Sequence, residues 1–369
     1  MAITKMHSFD YTHSFPDMGI TAAQGGTSGN TNVTSSNPRT GPGCVQLGSV
    51  AYYGPGNISV PVGVNATTAW VQGAFKGNGV NPADTTLVRA REDLNGATHV
   101  YLEIDGSTHG LNVRRGWPAG TLLATSVNEN LYTTAGIWYF FEFYVYLHDT
   151  AGRVVVKWNG ATEIDYTGDT NNGGSYINHF YFELPDTGGA CWYDDMIVGD
   201  GSGTMNTVPP GDARVEYLAP NGVGVKTEFA PSAGSNWSNV DETGTPIDTD
   251  YNHSSNVGAM DLFTMADLSG TGVIHAVQPV IRARKDDAGL RSVKPVFYKA
   301  LGAGDTPRIY AGTAQSVGDS FSYAGQIIET SPDTGVAWGA DEIQALQFGY
   351  AVAGSAAFGV DAWIREYTP

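Results

Sequence analysis

The sequence predicts an all-β protein built as two β-sandwich, jelly-roll-like domains, and three observations predict it. Forty-eight of 369 residues are glycine while only 15% of positions are charged, a composition that suits many short strands joined by tight turns. Tyr, Phe and Trp make up 11% of the chain, and these side chains fit a half-buried pleated surface better than a helix interior. Apolar residues recur with a period of two, as in Thr98-His99-Val100-Tyr101-Leu102-Glu103-Ile104. The chain is longer than one hydrophobic core usually serves, so two cores are expected. No fixed short repeat is present, which sets aside propellers and solenoids.

From Ile137 to Leu147 the run IWYFFEFYVYL reads as a central strand covered on both faces, because it is aromatic and β-branched and lacks helix formers. Trp138 is accordingly expected in the core. Arg153 to Trp158 alternates, and Asn159-Gly160 after it accepts the positive φ angles of a type I′ hairpin, so the chain should fold back along ATEIDY. Ile177 to Leu184 and Cys191 to Val198 complete a first domain, residues 1–200. The Gly- and Pro-rich stretch that follows reads as a linker, residues 201–212, before a second β-sandwich at 213–369. There Arg214 to Leu218 reads as a strand and 221–258 as a loop-rich region. A strand series then covers Val273 to Arg284, Arg291 to Lys299, Arg308 to Gly312, Ser320 to Glu329, Ile343 to Val352 and Phe358 to Glu366. Two short helices are expected, one at Ala259 to Met265 and one beginning at Thr334 to Trp338, just before Ala340-Asp341-Glu342.

Nineteen basic against thirty-seven acidic residues give a net charge of −18, which repels a phosphate backbone and removes nucleic acid from the expected partners. The opening MAITKMHSFDYTHSF lacks the apolar run of a signal peptide, and no membrane-length apolar stretch occurs. Synthesis in the cytoplasm, without a signal peptide and without membrane insertion, is therefore expected. Cys44 and Cys191 are too few for a disulfide scaffold and are expected as reduced, buried thiols.

The first block, from about Phe9 to Asp200, resembles the concanavalin A-like lectin and glucanase sandwich, laminin-G-like relatives included. The residues that carry the likeness are Arg39-Thr40-Gly41, Trp70-Val71-Gln72-Gly73-Ala74-Phe75, the Trp138 strand with its Asn159-Gly160 hairpin, and Trp192-Tyr193-Asp194-Asp195-Met196-Ile197-Val198. The second half is similar to a region that follows such domains in tailed-bacteriophage virion proteins. It matches through Gly211 to Val215, Asn239 to Glu242, Asp248 to Asn252, Ala283 to Gly289, and Glu329 to Gly335 with Trp338. The resemblance implies a non-enzymatic structural or adhesive protein on the phage particle, made in the host cytoplasm and placed in the tail or adsorption apparatus. A capsid decoration or head-surface protein, a stand-alone carbohydrate-binding module and, last, a glucanase are the alternatives. The partners implied are other virion proteins, a host surface glycan and further copies of the chain.

Candidate chemistry is sparse. A retaining glucanase needs two carboxylates on one strand face. Glu103-Ile104-Asp105 comes nearest, but Gly106 begins a turn and the bland reading, acidic residues entering a hairpin, is preferred. Asp194 and Asp195, adjacent on a strand, are expected to point to opposite faces. The inward one then needs calcium, an arginine or backbone N–H groups as partner, so calcium is the one cofactor worth weighing and no other is expected. Asp248, Asp250 and Asn252 read as Asx-turn residues, since no EF-hand pattern follows them. No nucleophile elbow or paired histidines are found. Tyr52, Tyr53, Trp117, Tyr132 and Trp237 stand in turn-rich contexts where a ring can either stack on a sugar or simply pack. Finally, Phe348, Tyr350, Phe358 and Trp363 give the C-terminal strands apolar groups on both faces, and an assembly interface is expected there.

Overall fold

A computed structural model describes residues 2–9, 20–24, 31–49, 56–79, 84–93, 96–183, 189–242, 247–270, 272–300, 307–355 and 362–367. The chain divides into two units, Met1–Val215 and Glu216–Pro369. The stretch 201–212, read from sequence as a linker, is hydrogen-bonded along the first unit: Trp70 Nε1 donates to the Asn206 carbonyl at 3.1 Å and Gln72 Nε2 to that of Gly211 at 2.9 Å.

The strands described in the first unit are β1 (Ile3–His7), β2 (Thr21–Gln24), β3 (Thr31–Thr34), β4 (Cys44–Ser49), β5 (Gly56–Ala66), β6 (Thr68–Gly77), β7 (Thr85–Arg91), β8 (Thr98–Ile104), β9 (Leu111–Arg115), β10 (Thr121–Thr125), β11 (Tyr139–Tyr146), β12 (Gly152–Trp158), β13 (Ala161–Gly168), β14 (Ile177–Glu183) and β15 (Gly189–Gly199). One sheet runs β13-β12-β11-β6-β15-β4-β3, with β1 also on β15, and the other runs β10-β9-β8-β7-β14-β5-β2. All pairings are antiparallel, and the inward faces of both sheets share one core. The sequence signals explain the centre of this unit. Asn159 and Gly160 have φ of 49° and 85°, and Trp158 pairs with Ala161 across them, as a type I′ hairpin requires. Phe141 and Phe143 of β11 point inward and meet Phe182 and Phe180 of the facing sheet at 6.4 and 6.3 Å between ring centroids.

Trp138 differs from expectation. It shares the parity of Phe140 and Glu142, so it lies on the outer face, half-buried against Cys44, Ala190 and Trp192, with Lys76 Nζ 5.9 Å from its ring centroid. Cys44 belongs to that outer cluster and Cys191 to the core; both are buried, reduced thiols.

Among the described residues the second unit carries β16 (Pro220–Thr227), β17 (Ala230–Pro231), β18 (Asn252–Ser254), β19 (Met260–Met265), β20 (Val280–Ala283), β21 (Arg291–Lys299), β22 (Arg308–Ala311), β23 (Gln315–Val317), β24 (Ser322–Gly325), β25 (Leu346–Ser355) and β26 (Ala362–Tyr367), with one short α-helix, α1 (Ala340–Ala345), and a 3-10 turn at Trp237–Asn239. Its sheets run β16-β19-β25-β21-β22, with β23 on β21, and β17-β18-β26-β20-β24. Residues 259–265, expected as a helix, include strand β19, because Asp261 is turned inward and fixed there by tertiary hydrogen bonds. The second expected helix, beginning at Thr334 to Trp338, forms as α1 but starts only at Ala340, after a turn and bridge region. The expected strand at 214–218 is irregular, and of Val273 to Arg284 only β20 is strand.

Phe348 and Tyr350, expected at an assembly interface, are 4% and 0% exposed. Alternate residues of a strand share a face, and this face of β25 is filled by its own unit: Phe297 packs on Phe348 at 5.0 Å and Phe229 on Tyr350 at 4.8 Å. Neither ring is available to a neighbour. Phe358 lies outside the described residues, as does the side chain of Trp363, whose backbone pairs with His253.

Candidate functional site

Antiparallel register brings together residues that sequence distance hides. In the second sheet of the first unit, Ser59 of β5 stands opposite Tyr181 of β14, Tyr181 opposite Arg89 of β7, Arg89 opposite Tyr101 of β8, and Tyr101 opposite Arg114 of β9. Five strands at the usual spacing make a transverse row of about 19 Å. The flanking residues Val60, Phe180, Ala90, Val100 and Val113 are in the core. The row therefore occupies the opposite, outer face of the sheet. Asn57 and Glu183 are in register beside it, as are His179 and Arg91.

The centre of the face is Arg89. Its guanidinium carbon lies 4.3 Å from the Tyr181 ring centroid and 4.4 Å from that of Trp117, which reaches over from the β9–β10 connection. Trp117 also meets Tyr101 edge-on at 5.1 Å while remaining 40% exposed. Arg89 Nη2 pairs with Glu183 Oε2 at 3.0 Å. Arg91 lies 5.0 Å from the Tyr181 centroid and donates from Nη2 to the Gly96 carbonyl at 3.1 Å. Guanidinium between two aromatic rings is a cation–π arrangement, strengthened by partial removal from water. Burial lowers the pKa of both arginines and raises that of the Tyr181 phenol; burial likewise lowers His179, which favours its neutral form at pH 7. The face thus offers one exposed indole, a half-buried phenol, and guanidinium and amide groups on a rigid sheet.

Of the five aromatic residues singled out from sequence, Trp117 is on this face. Tyr132 is buried in the core, Trp237 packs against the second unit's core, and Tyr52 and Tyr53 lie outside the described residues. Sequence reasoning missed Arg89, Arg91 and Tyr181. Their signal was present as alternation in Arg89-Ala90-Arg91 and His179-Phe180-Tyr181-Phe182-Glu183, where the apolar partners face the core.

The carboxylates weighed for catalysis are occupied by the protein itself. Glu103 is salt-bridged to Arg114, and burial raises its pKa against the pull of that arginine. Asp105 accepts Ser107 N at 2.8 Å, Ser107 Oγ at 2.6 Å, Thr108 N at 2.9 Å and Asn112 Nδ2 at 3.0 Å, bonds that order the turn and hold its carboxyl below the usual carboxylate range.

Asp194 and Asp195 do not point to opposite faces: both are fully buried, because a bulge follows Asp194 and Asp195 takes a positive φ of 51°. Asp194 Oδ2 accepts Arg39 N at 2.7 Å and Thr40 N at 3.2 Å. Asp195 accepts Thr40 Oγ1 at 2.6 Å, Val215 N at 3.0 Å and Arg39 Nη1 at 3.2 Å. Of the partners weighed for this pair, the structure supplies arginine and backbone N–H, and the pair ties the 39–40 turn and the 212–215 segment to β15. Burial first, then the adjacent Asp195 carboxylate, pushes the Asp194 pKa up to about 8. Among the described residues no group of three or more His, Cys, Asp or Glu is placed to hold a metal ion. In the second unit Asp248 pairs with Arg282, while Asn252 is buried and donates to Tyr350 Oη at 2.9 Å.

No protein-family model and no curated protein matches the chain. Solved structures similar to it include the cellulose-induced protein Cip1, at 14% identity and TM-score 0.40 over 53% of this chain and 96% of that one. A conserved carbohydrate esterase from the Shiga toxin-encoding bacteriophage phi24B is 15% identical, with TM-score 0.37 over 54% of this chain and 100% of that one. A Bacillus subtilis protein of unknown function with a galectin-like fold is 10% identical, with TM-score 0.35 over 54% and 98%.

Proposed function

We propose that the chain is a non-enzymatic structural and adhesive component of a bacteriophage particle, in the tail or adsorption apparatus, whose first unit binds a host-surface glycan through the outer face of the Arg89 sheet. The observation that carries the glycan reading is the Arg89 guanidinium set between Trp117 and Tyr181 on an open sheet face. Aromatic rings present apolar faces to the C–H surface of a sugar, while arginine and amide side chains supply the directional hydrogen bonds that fix its hydroxyls. A rigid sheet holds these groups without the ordering cost of a loop. The phage reading rests on the sequence resemblance of the second half. The non-enzymatic reading is supported by Glu103 and Asp105, whose oxygens are engaged by Arg114, Asn112 and turn N–H groups.

In this reading the second unit docks to other virion proteins or further copies of the chain, through surfaces other than the buried rings of Phe348 and Tyr350. Mass spectrometry of purified particles tests the virion assignment, and absence of the chain from particles refutes it. Glycan-array binding tests the first unit separately. Trp117→Ala is expected to weaken binding tenfold or more, and array binding indifferent to that substitution moves the site elsewhere.

A further inference from the structure

The proposed glycan face carries a cationic surplus on an otherwise acidic protein. The protein as a whole carries −18, yet on this face two neighbouring guanidinium groups share one carboxylate. Glu183 pairs with Arg89 at 3.0 Å, whereas Arg91 has no carboxylate within salt-bridge distance among the described residues. Arg91 contacts the Gly96 carbonyl and the Tyr181 ring instead. Asp93, two residues further on, is engaged by Asn178 Nδ2 at 2.8 Å and Tyr176 Oη at 3.0 Å. The Nε atoms of both Arg89 and Arg91 are buried and meet no acceptor, and the Arg89 side chain is only 7% exposed. A half-buried guanidinium without a carboxylate partner, on the outer face of a sheet, is matched by an acceptor that is also an anion.

Resting on the glycan reading above, we infer that this face selects a saccharide bearing a carboxylate, a uronate or a sialic-acid-type sugar, whose acid group is held by Arg91 with Arg89 while its ring lies against Trp117 and Tyr181. A guanidinium fork matches a carboxylate in two parallel hydrogen bonds, which a neutral hydroxyl cannot reproduce. Two fixed cations also attract an acidic polymer against the repulsion of the remaining acidic surface, so the attraction should weaken as salt rises.

The full chain is tested on an array of neutral, sialylated and uronate-containing glycans, followed by titration with the best acidic binder and its carboxyl methyl ester. Binding is expected to concentrate on the acidic members, to fall at least tenfold on methyl esterification, and to fall as ionic strength rises. Arg91→Gln should lose about tenfold more for the acid than for the ester, and Arg91→Lys should fall between. Binding confined to neutral glycans, or equal binding of acid and ester, overturns the acid-selectivity while the glycan reading stands. No binding to any array member overturns the glycan reading and this inference with it. The ester comparison uses the wild-type chain, so it decides the question even if an arginine variant fails to fold.

Discussion

Asp195→Asn isolates the latch between β15 and the segments around Arg39 and Val215. The carboxylate is fully buried and accepts three hydrogen bonds, from Thr40 Oγ1, Val215 N and Arg39 Nη1, and the arginine side chain is only 11% exposed. Asparagine keeps the shape and one acceptor oxygen, and it tolerates the φ of 51° at this position, so backbone strain is not part of the change. What is lost is the charge facing Arg39, while the new amide N–H groups face existing donors. Removing one member of a buried pair costs about 3–5 kcal/mol. Arg39 keeps its place over the Phe140 ring and its ion pair with Asp212, which is 52% exposed and compensates little. With the Asp194 pKa near 8 its proton is retained at pH 7, so removing the neighbouring charge relieves little repulsion. The expected loss is therefore about 3 kcal/mol, with Asp195→Ala losing about 1–2 kcal/mol more because alanine resists positive φ. Urea denaturation read by hydrogen exchange in peptides of β6 and β15 measures the first unit locally. A change below about 0.5 kcal/mol for Asp195→Asn would refute the reasoning.

Three further outcomes are expected. Asp194 holds a proton in the folded unit up to about pH 8, whereas in the unfolded chain it loses it near the ordinary aspartate value of 3.8. Stability should therefore fall as pH rises between those values, by up to about 1.4 kcal/mol per pH unit, and Asp194→Asn should flatten the profile of urea midpoint against pH. Phe141→Ala should cost about 3–5 kcal/mol and Trp138→Ala clearly less, since only Phe141 is fully buried in the core; equal losses in thermal melts would contradict their placement on opposite faces. Tyr350→Phe removes the hydroxyl that accepts from Asn252 Nδ2 at 2.9 Å and donates to Asp261 Oδ2 at 3.3 Å, and a loss of about 1–3 kcal/mol in the second unit is expected by the same denaturation assay.

Alternation and turn chemistry made the all-β class and the strands at 98–104 and 153–158 legible, and Asn159-Gly160 announced its own hairpin, because these signals are local. Three kinds of feature were not legible. Residues 259–265 carry no period that separates a short helix from a strand, and buried Asp261, fed by the backbone of Glu228 and Phe229 and by Asn236 and Tyr350, decides the matter through contacts distant in sequence. The facing of Asp194 and Asp195 is inverted by a bulge, which changes parity without leaving a mark in the residue types. The Arg89 row is assembled by register among strands from residue 59 to residue 114 and back from residue 181, so its members are individually ordinary.

That mode of assembly bears on how the face relates to stability. Arg89 points outward because Val88 and Ala90 fill the core, and the register irregularities in the β7–β8 pairing set which residues of β7 share a face. A one-residue slip would carry the arginine into the core and turn Ala90 outward. The core therefore specifies where the outward-facing groups stand, while those groups contribute little to the core in return. Trp117, 40% exposed on a connection, and Arg91, half-buried without a carboxylate partner among the described residues, should accordingly be replaceable at small cost to folding. Arg89 should not, because its removal leaves Glu183 without its cation and two rings without the group between them. On the proposed glycan face, Trp117 and Arg91 are thus the positions open to change, with Arg89 as the fixed point around which the face is built.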